Sequence, residues 1–147
     1  MTDRAEVVVL LQKTAIFSGM AIQTLENIAG ITRRLSFDEG DAIYQFGDDA
    51  RDVFIVVSGR VRFSLGVGNR AGSGSIMSEG HLIGWAALVE DQPRRLATAT
   101  CLEPSTMLAI NGRKLLEIFE GDTAAGYTAM RRLAAMIARN LTETLTS

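Results

Sequence analysis

Residues 52–65 read DVFIVVSGRVRFSL, and the change of pattern inside that stretch decides the fold class. Residues 53–57 are an unbroken apolar run, the pattern of a strand covered on both faces. Past Ser58-Gly59 the pattern alternates. Val61, Phe63 and Leu65 are apolar, while Arg60, Arg62 and Ser64 are polar, as in a half-buried strand. Ser58-Gly59 is itself a two-residue hairpin signal. Outward from there, ITRRLSF (31–37), DAIYQF (41–46), SIMS (75–78), RLATATCL (95–102) and STMLAI (105–110) are short and rich in β-branched or aromatic residues. The turns DEGD, FGDD, SG and SEG separate them at about the 8–12-residue spacing of sandwiches and barrels.

Helical periodicity brackets this β region. Val8, Leu11 and Ala15, with Leu10 beside them, predict a helix over roughly residues 3–14. Gly19 breaks it, and Ile22, Leu25 and Ile28 predict a second helix stopped by Gly30. After Ile110, Asn111 is placed to cap a helix GRKLLEIFE and Asp122 to cap a longer one. In that last helix Tyr127, Met130, Leu133, Ile137, Leu141 and Leu145 form an apolar stripe opposite Arg131, Arg132 and Arg139, which read as a solvated face. The predicted class is α+β and mainly β: a β-roll or jelly-roll barrel flanked by N-terminal and C-terminal helices. A single domain over residues 1–147 divides into helices to about 30, a β-roll over 31–110 and helices over 111–147.

Composition narrows the function classes. The chain has 147 residues, 47% of them apolar, and a net charge of -2, so no whole-molecule attraction to nucleic acid or anionic membrane is expected. Cys101 is the single cysteine, which excludes an internal disulfide and points to a reducing compartment. The N-terminus lacks a signal-peptide core or a membrane span, so a cytoplasmic protein is expected. His81 is the single histidine, leaving little for nucleophilic catalysis or a multi-histidine metal site. No enzyme activity, catalytic residue, metal or bound cofactor is expected; haem sensing through His81 and Cys101 is a remote alternative. Gly66-Val67-Gly68-Asn69-Arg70-Ala71 fits a loose dinucleotide fingerprint, but no helix follows it, so it reads as a flexible hairpin loop. Asp48-Asp49 and Glu90-Asp91 read as turn residues.

The chemistry concentrates in residues 81–103, HLIGWAALVEDQPRRLATATCLE. Gly84 followed by Trp85, Ala86 and Ala87 can wind a single helical turn whose first N–H groups hold an anion. Arg95, at the mouth of the next strand, can donate paired hydrogen bonds to the same anion, and Leu96 and Ala97 add backbone donors. Arg94 is expected to face solvent or an acidic neighbour such as Glu90, or, on a sharper reading, a doubly charged ligand.

The ordered blocks FDEGDAI, FGDDARDVFIVVSGRVR, EGHLIGWAALVEDQPRRLATATCLE and STMLAINGRKL resemble the cyclic nucleotide-binding domain family, in its catabolite-activator-like form. Gly40, Gly47 and Gly59 stand where that family turns its β-roll, and Ile16-Phe17 resembles its opening segment. The resemblance implies a phosphate-binding cassette over residues 80–101. Gly84 is then the cassette glycine, Ala86-Ala87 the short helix and Arg95 the phosphate arginine, followed by Leu96, Ala97 and Thr98, the last able to influence purine choice. Trp85 stands where the family's nucleotide binders usually carry a ribose-reading glutamate. Loss of that charge-assisted hydrogen bond costs about 1.5–3 kcal/mol; the indole either fills ribose space or offers a stacking surface for a base. Leu96 lacks a hydroxyl that some members turn to the phosphate.

These features imply a stand-alone regulatory sensor domain that binds cyclic AMP, cyclic GMP or a related small anion and passes the signal to an unnamed effector protein. A homodimer through the C-terminal helix is expected. With the chain ending near that helix, no helix-turn-helix and no direct DNA binding are expected. The alternative is a dimerisation or protein-interaction module that keeps the fold without a ligand.

Overall fold

The computed structural model describes residues 4–65, 76–89, 91 and 93–146, with the side chains of Leu65 and residues 140–146 outside the description. The loop predicted around Gly66, the turn residue Glu90, and the Leu141 and Leu145 side chains all lie outside the described residues.

The apolar run of residues 53–57 belongs to β3 (Asp52–Ser58), an inner strand of a sheet ordered β1-β8-β3-β6. Its partners are β8 (Ser105–Asn111) and β6 (Leu82–Ile83), and β1 (Thr32–Phe37) closes the far edge against β8. Every pairing is antiparallel. The run is apolar throughout because the strand separates two cores. Val53 and Ile55, with Leu108 and Ile110 of β8, face a helical layer; Phe54 and Val56, with Met107 and Ala109, face the barrel interior. The opposite wall is a second sheet, β2-β7-β4-β5, formed by β2 (Ala42–Tyr44), β7 (Ala97–Cys101), β4 (Val61–Leu65) and β5 (Ile76–Met77). It contributes Val61, Ala99 and Cys101 to the interior. The protein is therefore a β-roll with helices at both termini, mainly β.

The Ser58-Gly59 hairpin reading is corrected by this topology: β3 and β4 lie in different sheets and do not pair. Gly59 turns the chain from one sheet to the other at φ +105°, and a Cβ there would lie 2.0 Å from Ser105 Oγ. The close crossing over Ser105 demands the glycine. Strand β6 escaped the sequence reading because two residues carry no period.

The helical layer is built from α1 (Arg4–Gln12), α2 (Ile22–Ala29), α4 (Gly112–Gly121) and α5 (Thr123–Thr146). Asn111 caps α4, its side chain accepting the Lys114 N–H at 3.0 Å; Asp122 caps α5 by accepting the Ala125 N–H at 3.2 Å. Three expectations for the helix faces fail. Ile22, in the first turn of α2, is 56% exposed, and Thr24, Leu25, Ile28 and Ala29 are buried instead. Tyr127 is 66% exposed, with Arg131 lying over its ring at 5.8 Å. The buried face of α5 runs through Ala125, Ala129 and Leu133, with Met130 and Ile137 partly buried against the same core. At Gly126 a Cβ would stand 2.9 Å from that of Phe119. Arg132 is not on a solvated face either: its guanidinium donates to the Ile16 and Ser18 carbonyls at 3.2 and 2.7 Å, tying α5 to the turn between α1 and α2. Among the described residues no helix is long and apolar enough to cross a membrane.

Thr24 donates a short hydrogen bond to Asp122 Oδ2, so one carboxylate joins α2 to the α4–α5 junction. The Thr24 hydroxyl, and then the Ala125 N–H, hold the Asp122 carboxyl below its ordinary value of 3.8. A depressed folded-state pKa makes this stabilisation complete above the unfolded value and lost as pH falls through the folded one. Urea unfolding followed from neutral pH to below pH 3.8 is expected to show a shallower acid loss in Asp122→Asn than in the natural chain.

Candidate functional site

The candidate site starts where β6 ends. Gly84 takes φ +75°, and a Cβ on it would lie 2.7 Å from Arg95 Nη1, so both conformation and space require glycine. One helical turn, α3 (Ala86–Val89), follows, with Ala86, Ala87 and Leu88 buried. α3 rests on the start of α4: a Cβ on Gly112 would stand 2.5 Å from the Ala87 carbonyl oxygen.

Arg95 is set by its backbone. Its N–H donates to the Asp48 carbonyl at 2.8 Å and its carbonyl accepts the Gly47 N–H at 2.9 Å, while the Ala50 N–H meets the Pro93 carbonyl at 3.0 Å. This zipper to the β2–β3 turn directs the side chain inward, where it is only 4% exposed. Nη1 donates to the Gly84 carbonyl at 3.1 Å and Nη2 to the Asp52 carbonyl at 2.7 Å. The guanidinium lies over the Tyr44 ring at 4.2 Å and near Phe54 at 5.7 Å, the two rings being stacked 6.1 Å apart. Nε is buried without a hydrogen-bond partner among the described residues. Burial lowers the Arg95 pKa, opposed by Tyr44, Asp52 and Asp48. The Tyr44 phenol is pushed up to about 12, mainly by burial, with Arg95 and a hydrogen bond to the Gly84 backbone acting the other way. No ion pair joins Arg95 to a carboxylate among the described residues; Asp52 pairs with Arg33 at 2.6 Å.

The remaining sequence candidates separate. Trp85 is half-buried and packs against the helical-layer core, whereas Phe54 beside Arg95 belongs to the barrel interior. Leu96 is 53% exposed. Ala97 opens β7, and Thr98 accepts the Phe46 N–H on its hydroxyl at 3.0 Å. Arg94, largely exposed, pairs with an acidic neighbour as expected, Asp49 at 3.2 Å, and donates to the Gly47 carbonyl at 3.3 Å; it lines a shallow pocket of about 350 Å³ with Asp49, Ala50, Arg51 and Pro93, while Glu90 lies outside the described residues. His81 Nδ1 stays within its own turn, 2.9 Å from the Ser78 carbonyl, while Cys101 is buried in the barrel interior. Gly84 and Arg95 are thus in direct contact. Sequence reasoning missed Tyr44, Phe54 and the Asp52 carbonyl. An aromatic at one position of a short strand was the available signal, though it does not say what the ring covers.

Residues 34–122 match the cyclic nucleotide-binding domain family. The chain belongs to that family, a class of regulatory domains. It is 25% identical over 134 residues to a cyclic AMP receptor protein of Thermus thermophilus, which spans 90% of this chain and 60% of the relative. The chain therefore covers less than two thirds of that relative's length. Among solved structures, the sensor domain of the transcriptional regulator DNR from Pseudomonas aeruginosa superposes with TM-score 0.77 at 18% identity, covering 95% of this chain and 94% of that one. The regulatory domain of Toxoplasma gondii PKA, solved with cAMP, gives TM-score 0.74 at 17% identity, covering 95% and 50%. These two likenesses support the fold.

Gly84→Ala forces a side chain into the left-handed region and against Arg95. Loss of about 1–3 kcal/mol of stability is expected, read as a lower denaturation midpoint in urea at unchanged slope.

Proposed function

We propose that this domain is a regulatory sensor for a small oxyanion, with cyclic AMP and cyclic GMP the first ligands to test, and that Arg95 is its anion contact. The observation that carries this reading is Arg95 itself: a buried cation that, among the described residues, has no ion-paired carboxylate and no partner for Nε. Buried charges are ordinarily paired and buried donors ordinarily satisfied. An oxyanion meets both needs at once. Gly84 and the α3 turn form the wall beside it, and Ala87 carries that wall to Gly112 of α4. Ligand capture then shifts the population between two placements of the helices, to the extent that the two bind it differently.

The output surface proposed here is α5, through which two copies pair. Ala134, Ala135 and Ala138 are exposed along it, a strip of small side chains that lets a second helix approach closely. Static light scattering at high micromolar concentration is expected to give a dimer mass; a monomer mass rejects the pairing.

A second reading, a ligand-independent interaction module, has its own support. Both terminal nitrogens of Arg95 are already occupied by protein carbonyls, and the half-buried Trp85 packs against the helical-layer core. Titration calorimetry with cyclic AMP and cyclic GMP up to millimolar concentration separates the two. The sensor reading expects saturable binding that Arg95→Ala removes. The module reading expects no heat, and a variant changed only in stability.

A further inference from the structure

We propose that the shallow pocket between Arg51 and Arg94 receives the acidic turn of residues 38–41 from a second copy of this chain, in a head-to-tail contact separate from any pairing through α5.

The pocket lies at the end of the β-roll where β3 begins, with Arg51, Arg94 and Asp49 around it and Ala50 and Pro93 completing its lining. Arg51 is exposed and forms no ion pair among the described residues. Arg113 and Lys114 follow Gly112, whose N–H sits on the Arg51 carbonyl at 2.8 Å; both are exposed and equally unpaired. They stand in the first turn of α4, where the helix dipole disfavours cations and no acidic residue offsets them. Helix stability therefore does not account for their charge. The carboxylates at this end are mostly engaged. Asp49 pairs with Arg94, Asp52 pairs with Arg33, and Asp48 accepts the Gln45 N–H at 3.0 Å. Asp91 is exposed without an ion pair. Among the described residues, the unpaired charge at the pocket end is positive.

The opposite end carries the complement. Asp38, Glu39 and Asp41 are exposed in the turn between β1 and β2, and none has an ion pair among the described residues. Arg60, on the same side, is taken by Glu103 at 3.3 Å. The acidic turn is preformed. The Asp38 N–H donates to Asp41 Oδ2 at 2.8 Å, the Gly40 N–H to the Cys101 carbonyl at 2.8 Å, and the Cys101 N–H to the Asp41 carbonyl at 2.9 Å. Asp41 spends a carboxylate oxygen on its own turn, which leaves Asp38 and Glu39 as the charges free to reach a partner.

One chain cannot bring these two surfaces together. β1 runs from Thr32, paired with Ile110 at the pocket end, to Phe37, paired with Ser105 at the acidic end. An extended strand of that length spans about 20 Å. The contact is therefore between copies, and it is heterologous. Each copy offers one turn and one pocket, so association builds a ring or an open chain.

Sedimentation velocity of the full chain at high micromolar concentration, in about 20 mM and about 500 mM salt, reads the contact, because the higher salt screens exposed charges within a few ångströms. The species that persists at high salt, monomer or α5 pair, is the baseline, and a larger species is expected at low salt. Glu39→Lys and Arg51→Glu are each expected to weaken the larger species at least about tenfold, since like charges then face each other. Mixing the two variants is expected to restore it, because each supplies the surface the other lacks. Both side chains are exposed and make no hydrogen bond or ion pair among the described residues, so neither change threatens the fold. A natural chain whose mass ignores salt, a larger species that survives either variant, or a mixture that stays at the baseline overturns the proposal. None of these outcomes bears on the sensor reading, which calorimetry decides.

Discussion

A strand that is dry on both faces organises this molecule. β3 separates the helical layer from the barrel interior, and its side chains alternate between the two cores. With no face left for solvent over residues 53–57, the polar contacts of β3 gather at its ends. The Arg51 carbonyl accepts the Gly112 N–H at 2.8 Å, and the Asp52 carbonyl accepts Arg95 Nη2 at 2.7 Å. The start of α4 and the Arg95 side chain are thus anchored on adjacent residues at one strand end.

That anchorage explains why the buried cation is an arginine. Its charge sits in a site that lowers its pKa by desolvation, and only a flat, delocalised ion can lie on a ring while still donating sideways to two carbonyls. A lysine ammonium, a strongly hydrated point charge, has neither a face to stack nor a fork to share. The same geometry explains Gly84. Any Cβ there would displace Nη1, so the glycine that starts the α3 turn also makes room for the arginine.

The fold was largely legible because each strand and helix carries its own period. Residues 53–57 announced a doubly covered strand, and Asn111 and Asp122 announced their caps, since capping acts within three residues. Pairing was less legible. Ser58-Gly59 has the composition of a hairpin, but the crossing over Ser105 that makes it a corner between sheets depends on a partner far along the chain. The site divided in the same way. Gly84 and Arg95 could be nominated from their order in the chain. The inward turn of Arg95, the ring beneath it and the packing of Trp85 toward the helices are tertiary choices, made by the zipper between Arg95 and the 47–48 turn and by which core each side chain fills. The α5 stripe held at Leu133, with Met130 and Ile137 partly buried against the core, and failed at Tyr127. Helix spacing identifies a possible apolar face, but tertiary contacts such as the close approach at Gly126 decide where along the helix it is used.

Seen together, these contacts give the site a short mechanical reach. Arg95 bonds Gly84, Gly84 starts the α3 turn, Ala87 of that turn bears on Gly112, and Gly112 begins α4. At the other end of α4, Asp122 holds Thr24 of α2 and caps α5, whose Arg132 grips the Ile16 and Ser18 carbonyls. The Ala87–Gly112 contact involves main chain on both sides, with no flexible side chain between them to absorb a displacement. Close-packed elements of this kind shift as units. On the sensor reading proposed above, a change in what Arg95 holds bears first on α4, and through Asp122 on the two helical segments that flank the β-roll.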